Sequence, residues 1–340
     1  MFKQVAPIIV DSSIFDRFIG LLEHTGGERG NLLRVLTYHR VDEPGVRPWL
    51  DPALISATPE TFETQMKYVA ANYQVISVMD LLRIVENESR LPPRAVMVTF
   101  DDAYCDFEQH AWPILKKHHI PVTLFVPTSF PDHPERIFWW DRLSYALHTT
   151  IKAEIETPAG RLPLSTVGQR AQAVAALKNY VKTLHQEAAA TYVEQICREL
   201  DVPAHENSVL GWDALRELAK EGVTLCPHTQ THPIMNHISP DAMYGEAYNS
   251  MQDLEREVGG IVPAFAYPSG FHNEEVVRAV ERAGFRLAFT TERGINDLGR
   301  AHPLQLQRIN VGMRTTIPIL RAQLLSMSAT IYPLGKKIFR

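Results

Sequence analysis

Short, nearly uninterrupted runs of apolar residues alternate with segments of helical periodicity along most of the chain. The runs are rich in β-branched side chains, which is typical of parallel strands covered on both faces. We predict strands at 33–38, 74–78, 95–100, 121–126, 223–227, 264–267, 286–290 and 304–309. Strands that alternate with helices indicate either a doubly wound sheet or a barrel, and we favour a distorted (β/α) barrel of about seven strands.

Capping residues mark several helix ends. Residues 58–60 (Thr-Pro-Glu) supply an N-cap, a first-turn proline and a first-turn acid to a helix that runs to about Ala71. The same pattern at 239–241 (Ser-Pro-Asp) precedes a helix that ends at Gly259. Further helices are predicted at 104–119, 212–220 and 273–283.

One region interrupts the alternation. An aromatic cluster at 138–140, a hairpin-like stretch at 158–160 and one long helix from about Gly168 to Leu200 lie between residues 131 and 208. Barrel-like elements resume at Trp212, so we predict an insertion, which often shapes access to a site. The predicted organisation is an N-terminal helical extension at 1–32, a barrel at 33–130 and 209–328, a helical insertion at 131–208 and a tail at 329–340.

Composition excludes several classes of protein. With 340 residues, 45% of them hydrophobic and 21% charged, the chain is typical of a globular protein and not of a disordered or fibrous one. The net charge of −5 gives no reason to expect nucleic-acid binding, although this net charge does not exclude a local basic patch. Three cysteines are too few for a disulfide framework, which favours a reducing compartment.

No segment is typical of a secretion signal or a membrane span. Polar residues interrupt the apolar run in 1–22, and no later run reaches the roughly 18–20 apolar residues that a span needs. We therefore predict a cytoplasmic protein. A peripheral membrane contact stays open, through an amphipathic helix at the start of the chain or the basic end Gly335–Arg340, although core packing and a frayed tail are the simpler interpretations.

Two adjacent acids, Asp101 and Asp102, close the most apolar predicted strand. Buried carboxylates are costly unless they are paired or bind a metal. Neighbouring residues of a strand point to opposite sides, so one carboxylate could ligate a metal while the other faces the reacting water. The alternative is an N-cap on the helix at 104–119, where acids also stabilise the helix dipole.

Two histidines, His228 and His232, follow another predicted strand. Their spacing suits chelation of one ion, and the flanking prolines indicate a rigid loop. Two imidazoles and one carboxylate leave positions open for water and substrate, as catalytic metal sites do. A chance pair among 14 histidines is the alternative, and nearby Cys226 is more typical of a buried thiol than of a ligand.

The sequence FAYPSG at 265–270 ends a further strand. Proline and glycine there would bring the backbone close to the mouth of the barrel. We predict that the backbone N–H of Ser269 donates to an oxyanion and that Tyr267 and Pro268 contact the substrate. A simple strand-to-helix turn would require the same residue types.

The first predicted strand ends in the polar pair His39 and Arg40. These side chains could reach the same mouth, and a buried structural histidine is the alternative. Trp139 and Trp140 in the insertion are candidate platforms for a sugar ring, with core packing as the alternative. Because adjacent rings point in different directions, at most one of the two would stack on a sugar.

These motifs resemble the polysaccharide deacetylases with a NodB-homology domain, carbohydrate esterase family 4. TFDD at 99–102 resembles the family's first motif, which implies that Asp101 is the general base and Asp102 a metal ligand. HTQTHP at 228–233 resembles its H-[ST]-x-x-H-P motif, which implies that His228 and His232 are the other ligands. The resemblance spans roughly 33–311, with 131–208 as an insertion.

The resemblance implies a hydrolase that removes N-acetyl groups from the amino sugars of a polysaccharide, an oligosaccharide or a lipid-linked precursor. Its expected cofactor is Zn²⁺, and the ligand set also suits Co²⁺, Ni²⁺ or Fe²⁺. Two other functions stay open. One is a non-catalytic carbohydrate-binding relative, against which the free carboxylate of Asp101 argues. The other is a hydrolase of a nucleotide- or lipid-linked amino sugar, including a deformylase, which the apparent lack of an export signal favours.

The sequence departs from the family in its later motifs. In the motif that often reads R-P-P-Y-G, Ala266 stands at the arginine position and Ser269 at the tyrosine position, so the usual brace of the base is absent. An Asp-Trp pair is not found after Thr290, and LQLQRIN replaces the usual Leu-x-His. The chain thus resembles the branch of exopolysaccharide and poly-N-acetylglucosamine deacetylases, which implies His39 as the general acid, with Arg308 as an alternative group that orients the base.

Overall fold

The computed structural model describes residue 20 and residues 31–325, except 48, 159, 206 and 207. The tail predicted at 329–340 and nearly all of the extension predicted at 1–32 lie outside these residues, as do both candidate membrane contacts. Among the described helices, none combines the length and the apolar character needed to cross a bilayer. The predicted limits of the barrel and the insertion stay a prediction.

Strands occupy most of the segments predicted for them. They are β1 Leu32–Tyr38, β2 Arg40–Val41, β3 Ile55–Ala57, β4 Gln74–Val75, β5 Ala95–Phe100, β6 Val122–Val126, β7 Glu154–Thr157, β8 Gly160–Pro163, β9 Thr224–Pro227, β10 Ala264–Ala266, β11 Leu287–Arg293, β12 Asn296–Asp297 and β13 Leu306–Asn310. Seven of them are hydrogen-bonded in the parallel order β10–β11–β13–β1–β5–β6–β9. In this described sheet β9 and β10 lie side by side without a ladder between them, so the barrel is nearly closed, which confirms the predicted fold class.

The interior of the barrel follows the alternation of each strand. All seven barrel strands contribute to one apolar cluster, so this cluster fills the interior. On β5, Ala95 and Met97 belong to it, whereas Val96 and Val98 pack under the surrounding helices. Asp101 continues the inward series beyond the end of β5, so its side chain faces the carboxyl end of the barrel interior.

The helices connect the strands on the outside. They are α1 Pro59–Asn72, α2 Val78–Glu86, α3 Trp112–Lys117, α4 Trp139–Thr149, α5 Val167–Val181, α6 Gln186–Glu199, α7 Trp212–Lys220, α8 Pro240–Val258, α9 Glu274–Arg282 and α10 Ile317–Leu324. The predicted caps are confirmed: Thr58 accepts a hydrogen bond from the backbone N–H of Thr61, and Gly259 ends α8 with a φ of 76°. Glycine adopts that left-handed conformation without strain.

One helix prediction and one strand prediction need correction at their boundaries. The helix predicted at 104–119 begins as a π-helical turn at Phe107–Ala111 and becomes α-helical only in α3. The strand predicted at 74–78 ends at Val75, because Ser77 forms a capping box with Asp80 and starts α2. In both places a local hydrogen-bond pattern overrides the apolar run.

The single helix predicted from Gly168 to Leu200 is wrong, because the chain breaks between α5 and α6. Thr183 donates its hydroxyl to the carbonyl of Tyr180, and His185 is in an extended conformation. The break lets both helices bury apolar side chains in one cluster with α4, through residues such as Leu143, Leu177 and Ile196. One straight helix could not pack twice against the same core. The predicted hairpin is confirmed by β7 and β8.

Candidate active site

The carboxyl ends of the barrel strands surround one cavity of about 220 Å³. Six strands bring a residue to its lining: His39 after β1, Asp101 after β5, His228 after β9, Ser269 after β10, Thr291 in β11 and Asn310 in β13. In parallel α/β folds, this end of the sheet is where ligands bind. The strand ends that the sequence singled out therefore meet at one place.

Asp102, His228 and His232 form a candidate metal site. Their ligand atoms all lie within 4.8 Å of one another. Oδ1 of Asp102 is 3.6 Å from Nε2 of His228 and 3.3 Å from Nε2 of His232. This oxygen is buried and accepts no hydrogen bond from the described residues, which is costly unless a cation lies against it. The three residues therefore fit a divalent ion.

The neighbouring strand fixes the orientation of His228. Its Nδ1 lies 2.7 Å from the carbonyl oxygen of Ala266 at the end of β10, so Nδ1 carries the proton and Nε2 is free to ligate. Burial lowers the pKa of His228 to about 4, so the imidazole is neutral at neutral pH, as a metal ligand must be. The same hydrogen bond bridges the gap between β9 and β10.

Two of the three candidate ligands have a left-handed backbone. The φ angle is 73° at Asp102 and 56° at His232, and Ala103 follows with 51°. Such conformations cost about 1–3 kcal/mol each and cluster at functional sites. At His232 the backbone N–H donates to Oγ1 of Thr229, at 3.0 Å, which holds the turn. The surrounding loops thus impose these side-chain positions against local backbone preference.

Asp101 is paired with Arg308, which reaches it from β13, beyond β1. Nη1 and Nη2 of Arg308 donate to Oδ1 and Oδ2 of Asp101 at 2.8 and 2.7 Å, and Nε donates to the carbonyl of Thr290 at 2.7 Å. Burial, the largest single cause, opposes the ionised form of Asp101, but the guanidinium and neighbouring groups together outweigh it and hold the pKa well below its usual range. Asp101 is therefore an ionised carboxylate with a fixed orientation, although Ala266 supplies no arginine.

His39 and Arg40, which follow β1, point to different parts of the structure. His39 is half-buried in the cavity, with Nε2 4.0 Å from Oδ2 of Asp101. Arg40 is fully buried, pairs with Asp106 and Asp141 at 2.9 and 3.1 Å, and lies over the ring of Tyr104. Only His39 can meet a ligand.

The turn after β10 brings the backbone of Ser269 to the cavity. Ser269 has a φ of 53°, and its carbonyl accepts a hydrogen bond from Oγ1 of Thr291 at 3.1 Å. The next residue, Gly270, packs so closely on Thr291 that a Cβ atom would overlap it. The turn therefore requires glycine here, and it brings Ser269 into the lining of the cavity, while the predicted role of its N–H stays a prediction.

Tyr267 and Pro268 do not reach this cavity. Both are buried, and the Tyr267 hydroxyl donates to the carbonyl of Leu304 at 2.9 Å. Tyr267 belongs to the apolar cluster beneath α9, because the alternation along β10 turns it away from the mouth. The predicted substrate contacts of these two residues gain no support from their placement.

The two tryptophans of the insertion both line the cavity, with their rings at 85° to each other. Trp140 is buried, donates its indole N–H to the Tyr104 hydroxyl at 3.0 Å and packs edge-on against His232. Trp139 is half-buried. Of the pair, Trp139 is the ring that can meet a sugar face.

Five residues of the lining were missed by the sequence analysis: Thr291, Asn310, Lys178, Lys182 and Leu54. The first two continue the inward alternation of β11 and β13, which is a signal that could have identified them. The lysines are four residues apart and so share a face of α5. Their place at the mouth depends on how the insertion packs, which no local pattern encodes.

Comparisons with known proteins agree with this geometry. The model of a family described as polysaccharide deacetylase matches residues 88–288. A putative polysaccharide deacetylase of Bacillus subtilis, YxkH, is 20% identical over 289 residues, which are 84% of this chain and 74% of that protein. A poly-beta-1,6-N-acetyl-D-glucosamine N-deacetylase of Staphylococcus epidermidis is 31% identical over 75 residues, only 22% of this chain and 26% of that enzyme.

Solved structures share the fold at low sequence identity. The deacetylase PplD of Streptococcus pyogenes, in complex with acetate, has a TM-score of 0.60 and 20% identity, covering 87% of this chain and 99% of its own. IcaB from Ammonifex degensii has a TM-score of 0.58 and 19% identity, covering 88% of this chain and 99% of its own.

Proposed function

We propose that this chain, which belongs to the polysaccharide deacetylase family, uses a divalent metal to remove the acetyl group from the nitrogen of an amino sugar. Family membership makes the chain a hydrolase of the amide bond of N-acetyl amino sugars. One observation supports the mechanism: Asp101, held by Arg308, lies in the same cavity as the candidate metal ligands. A general base beside a Lewis-acid site is the arrangement that amide hydrolysis needs.

Asp102, His228 and His232 would hold the metal. Two imidazoles and one carboxylate suit Zn²⁺ and also Co²⁺, Ni²⁺ or Fe²⁺. When bound, such an ion polarises a carbonyl group and makes water more acidic. The neutral state of His228 and the orphaned oxygen of Asp102 support this assignment.

The remaining steps belong to residues of the chain. Asp101 accepts the proton of the attacking water while Arg308 keeps the carboxylate aimed at the cavity. The backbone N–H of Ser269 donates to the oxygen that becomes negative, a contact that contributes about 3–4 kcal/mol. His39 gives a proton to the departing nitrogen. A bond forms between the water oxygen and the carbonyl carbon, the carbon–nitrogen bond breaks, and acetate and a free amine result.

The size of the cavity restricts how a glycan could bind. A volume of about 220 Å³ lies below the roughly 300–1,000 Å³ of sites for drug-sized ligands. It suits one sugar ring with its acetamido group, while any further units lie outside. Trp139 at the rim supplies a flat apolar surface for that ring. We therefore propose an amino sugar of a glycan or of a glycan precursor as the substrate.

The test combines metal analysis with acetate release from N-acetylglucosamine oligomers. We expect about one divalent ion per chain and measurable acetate from the unaltered protein. Asp101→Asn should keep the metal and lose about 10²–10⁴-fold in kcat, because only the proton acceptor is removed. Asp102→Ala and His232→Ala should lose the metal.

Asp213→Asn is the matched control, because the Asp213 side chain is 99% exposed and lies on α7. It should change neither metal content nor turnover. Full activity in Asp101→Asn, or full metal content in both Asp102→Ala and His232→Ala, would overturn the site assignment.

A further inference from the structure

The mouth of the barrel carries positive charge that amide hydrolysis does not use. Lys178, in the last turn of α5, and Lys182, its C-cap residue, line the same cavity as Asp101. Their spacing of four residues places both side chains on one face of the helix. A neutral N-acetyl sugar requires neither ammonium group.

Apart from the candidate metal ligands, two charged pairs lie at the cavity, and Lys182 belongs to neither of them. Arg308 neutralises Asp101, and Lys178 is ion-paired with Asp51, the two side chains being only 17% and 10% exposed. Within the described part of the chain, no carboxylate lies within 4.0 Å of the ammonium of Lys182 in an ion pair. Lys182 thus forms no ion pair of its own, and the Asp51 charge that acts on it is already paired with Lys178.

Burial makes this arrangement unfavourable. Lys182 is half-buried, and burial, with the charge of Lys178 as a second cause, lowers its pKa, although the charge of Asp51 acts in the opposite direction. A desolvated cation gains most from an anion placed beside it. A bound anion would provide that partner for Lys182, with Lys178 as a second positive charge close by.

We propose that Lys182, assisted by Lys178, binds an anionic substituent of the amino-sugar substrate, namely a phosphate ester, a diphosphate ester or a carboxylate. The inference rests on the proposed deacetylation, because that reaction places the sugar in this cavity. It narrows the substrate from amino sugars in general to charged ones, such as sugar phosphates, nucleotide- or lipid-linked sugars and sugar acids.

A second cavity is relevant to the choice of test ligands. It lies beside the first, shares Trp139 and Trp140 with it, and is lined mainly by apolar side chains that include Val181 and Leu184. These two residues flank Lys182 in the sequence. A sugar whose phosphate carries a hydrocarbon chain therefore belongs among the ligands to be compared.

The experiment measures the preference of the full-length protein for charged over neutral sugars. The kcat/KM for acetate release is compared between methyl N-acetylglucosaminide and four charged ligands: N-acetylglucosamine 1-phosphate, uridine diphosphate N-acetylglucosamine, farnesyl diphosphate N-acetylglucosamine and N-acetylmuramic acid. We expect at least one charged ligand to be preferred about tenfold or more, the effect of a charge-assisted hydrogen bond. The preferred ligand identifies the source of the anion.

Variants of Lys182 test whether this residue causes the preference for charged sugars. Lys182→Met should reduce the charged-to-neutral ratio about tenfold or more, whereas Lys182→Arg should retain most of it. Lys152→Met, at an exposed position in the insertion, should leave the ratio unchanged. An unchanged ratio in a folded Lys182→Met protein, or no preference for any charged ligand, would overturn the inference and leave the deacetylase proposal intact.

Calorimetric measurement of ligand binding to the metal-stripped protein tests the anion site independently of deacetylation. The preferred charged ligand should bind more tightly than its neutral counterpart, and Lys182→Met should abolish the difference. If no substrate releases acetate while this binding difference persists, the deacetylation proposal fails and the anion site stands. If the unaltered protein and Lys182→Met bind the charged ligand equally tightly, the anion does not bind to Lys182.

Discussion

Nε2 of His39 and Oδ2 of Asp101 lie 4.0 Å apart at the same side of the cavity. The separation is too long for a strong hydrogen bond, so the imidazole and the carboxylate both stay available to a substrate. One substrate amide placed between them can meet both. This relationship allows one residue to take a proton from water and the other to give a proton to the leaving nitrogen.

His39→Gln should therefore separate amide from ester hydrolysis. Without the acid, kcat for an N-acetyl sugar should fall about 10²–10⁴-fold, because an amine leaves poorly unless it is protonated. Turnover of 4-nitrophenyl acetate should fall far less, since nitrophenolate departs without a proton. Initial rates on both substrates, with metal content checked, measure the difference.

The control for this prediction is His133→Gln, because the His133 side chain is 48% exposed, pairs with Glu135 and does not line the cavity. It should affect neither substrate. An equal loss on amide and ester in His39→Gln would argue against the role as acid, and so would unchanged amide hydrolysis.

The pairing of Arg308 with Asp101 predicts a change in pH dependence. Burial raises the pKa of Asp101, and the guanidinium is the first of the groups that lower it, so Arg308→Gln should raise that pKa. A base works only when ionised, and activity is lost as the pH falls through its pKa. The acidic limb of kcat/KM against pH should therefore move to higher pH in Arg308→Gln, and less far in Arg308→Lys.

The geometry of the pair adds an effect at neutral pH. Lysine keeps the charge but not the two parallel hydrogen bonds, so misplacement of Asp101 should lower kcat about 10²-fold in Arg308→Lys. Arg300→Gln, where the side chain is 88% exposed, is the control and should leave the profile unchanged. A folded Arg308→Gln protein with an unaltered acidic limb would contradict the assignment.

Much of the site could be predicted because it is encoded locally. Asp101 and His228 directly follow apolar strands, Asp102 and His232 come within the next few residues, and parallel strands bring such ends together. The alternation of a strand also states which side chains face inward, as for Arg308 on β13. Short-range sequence signals therefore located the acidic pair and the histidine pair, whereas the roles expected of these residues and of Arg308 came from the family resemblance.

The parts of the site that the sequence analysis misplaced or missed depend on contacts between distant segments of the chain. Arg40 looked like a partner of His39, but the insertion supplies Asp141 and draws the guanidinium into the interior. The break after α5 places Lys182 at the mouth, and the apolar periodicity of that region continues through it. Tyr267 was assigned to the mouth by its neighbours in the sequence, whereas the packing of α9 buries it.

The buried Arg40 network should be important for stability and not for chemistry. Removing Arg40 takes away the ion-pair partner of Asp141 and leaves Asp106 with the more distant Arg47, 3.8 Å away. Arg40→Met should therefore lower the free energy of unfolding by about 3–5 kcal/mol at neutral pH. Burial, the larger cause, already raises the pKa of both carboxyls against the opposing charge of Arg40. Urea unfolding of the two proteins gives the difference.

The stability deficit of Arg40→Met should also depend on pH. A carboxyl whose pKa is higher in the folded protein than in the unfolded chain stabilises the fold when protonated, and this stability is lost as the pH rises through the folded value. The deficit should therefore be larger at pH 8 than at pH 5. Arg300→Met is the exposed control. A deficit that grows toward pH 5 would contradict the assignment of the network.

Gly270→Ala tests the turn that presents Ser269. The left-handed φ of 73° costs alanine about 1–2 kcal/mol. Overlap with Thr291, whose backbone nitrogen would lie 2.5 Å from the new Cβ atom, adds about 1–3 kcal/mol. Displacement of the Ser269 N–H should lower kcat about 10²–10³-fold with little change in metal content. Gly222→Ala is the control, because Gly222 also has a positive φ, 108°, but has open space around it. In unfolding assays it should show a cost from the backbone conformation without the overlap, and in acetate-release assays it should keep full activity. Equal effects of the two variants would refute the role of this turn.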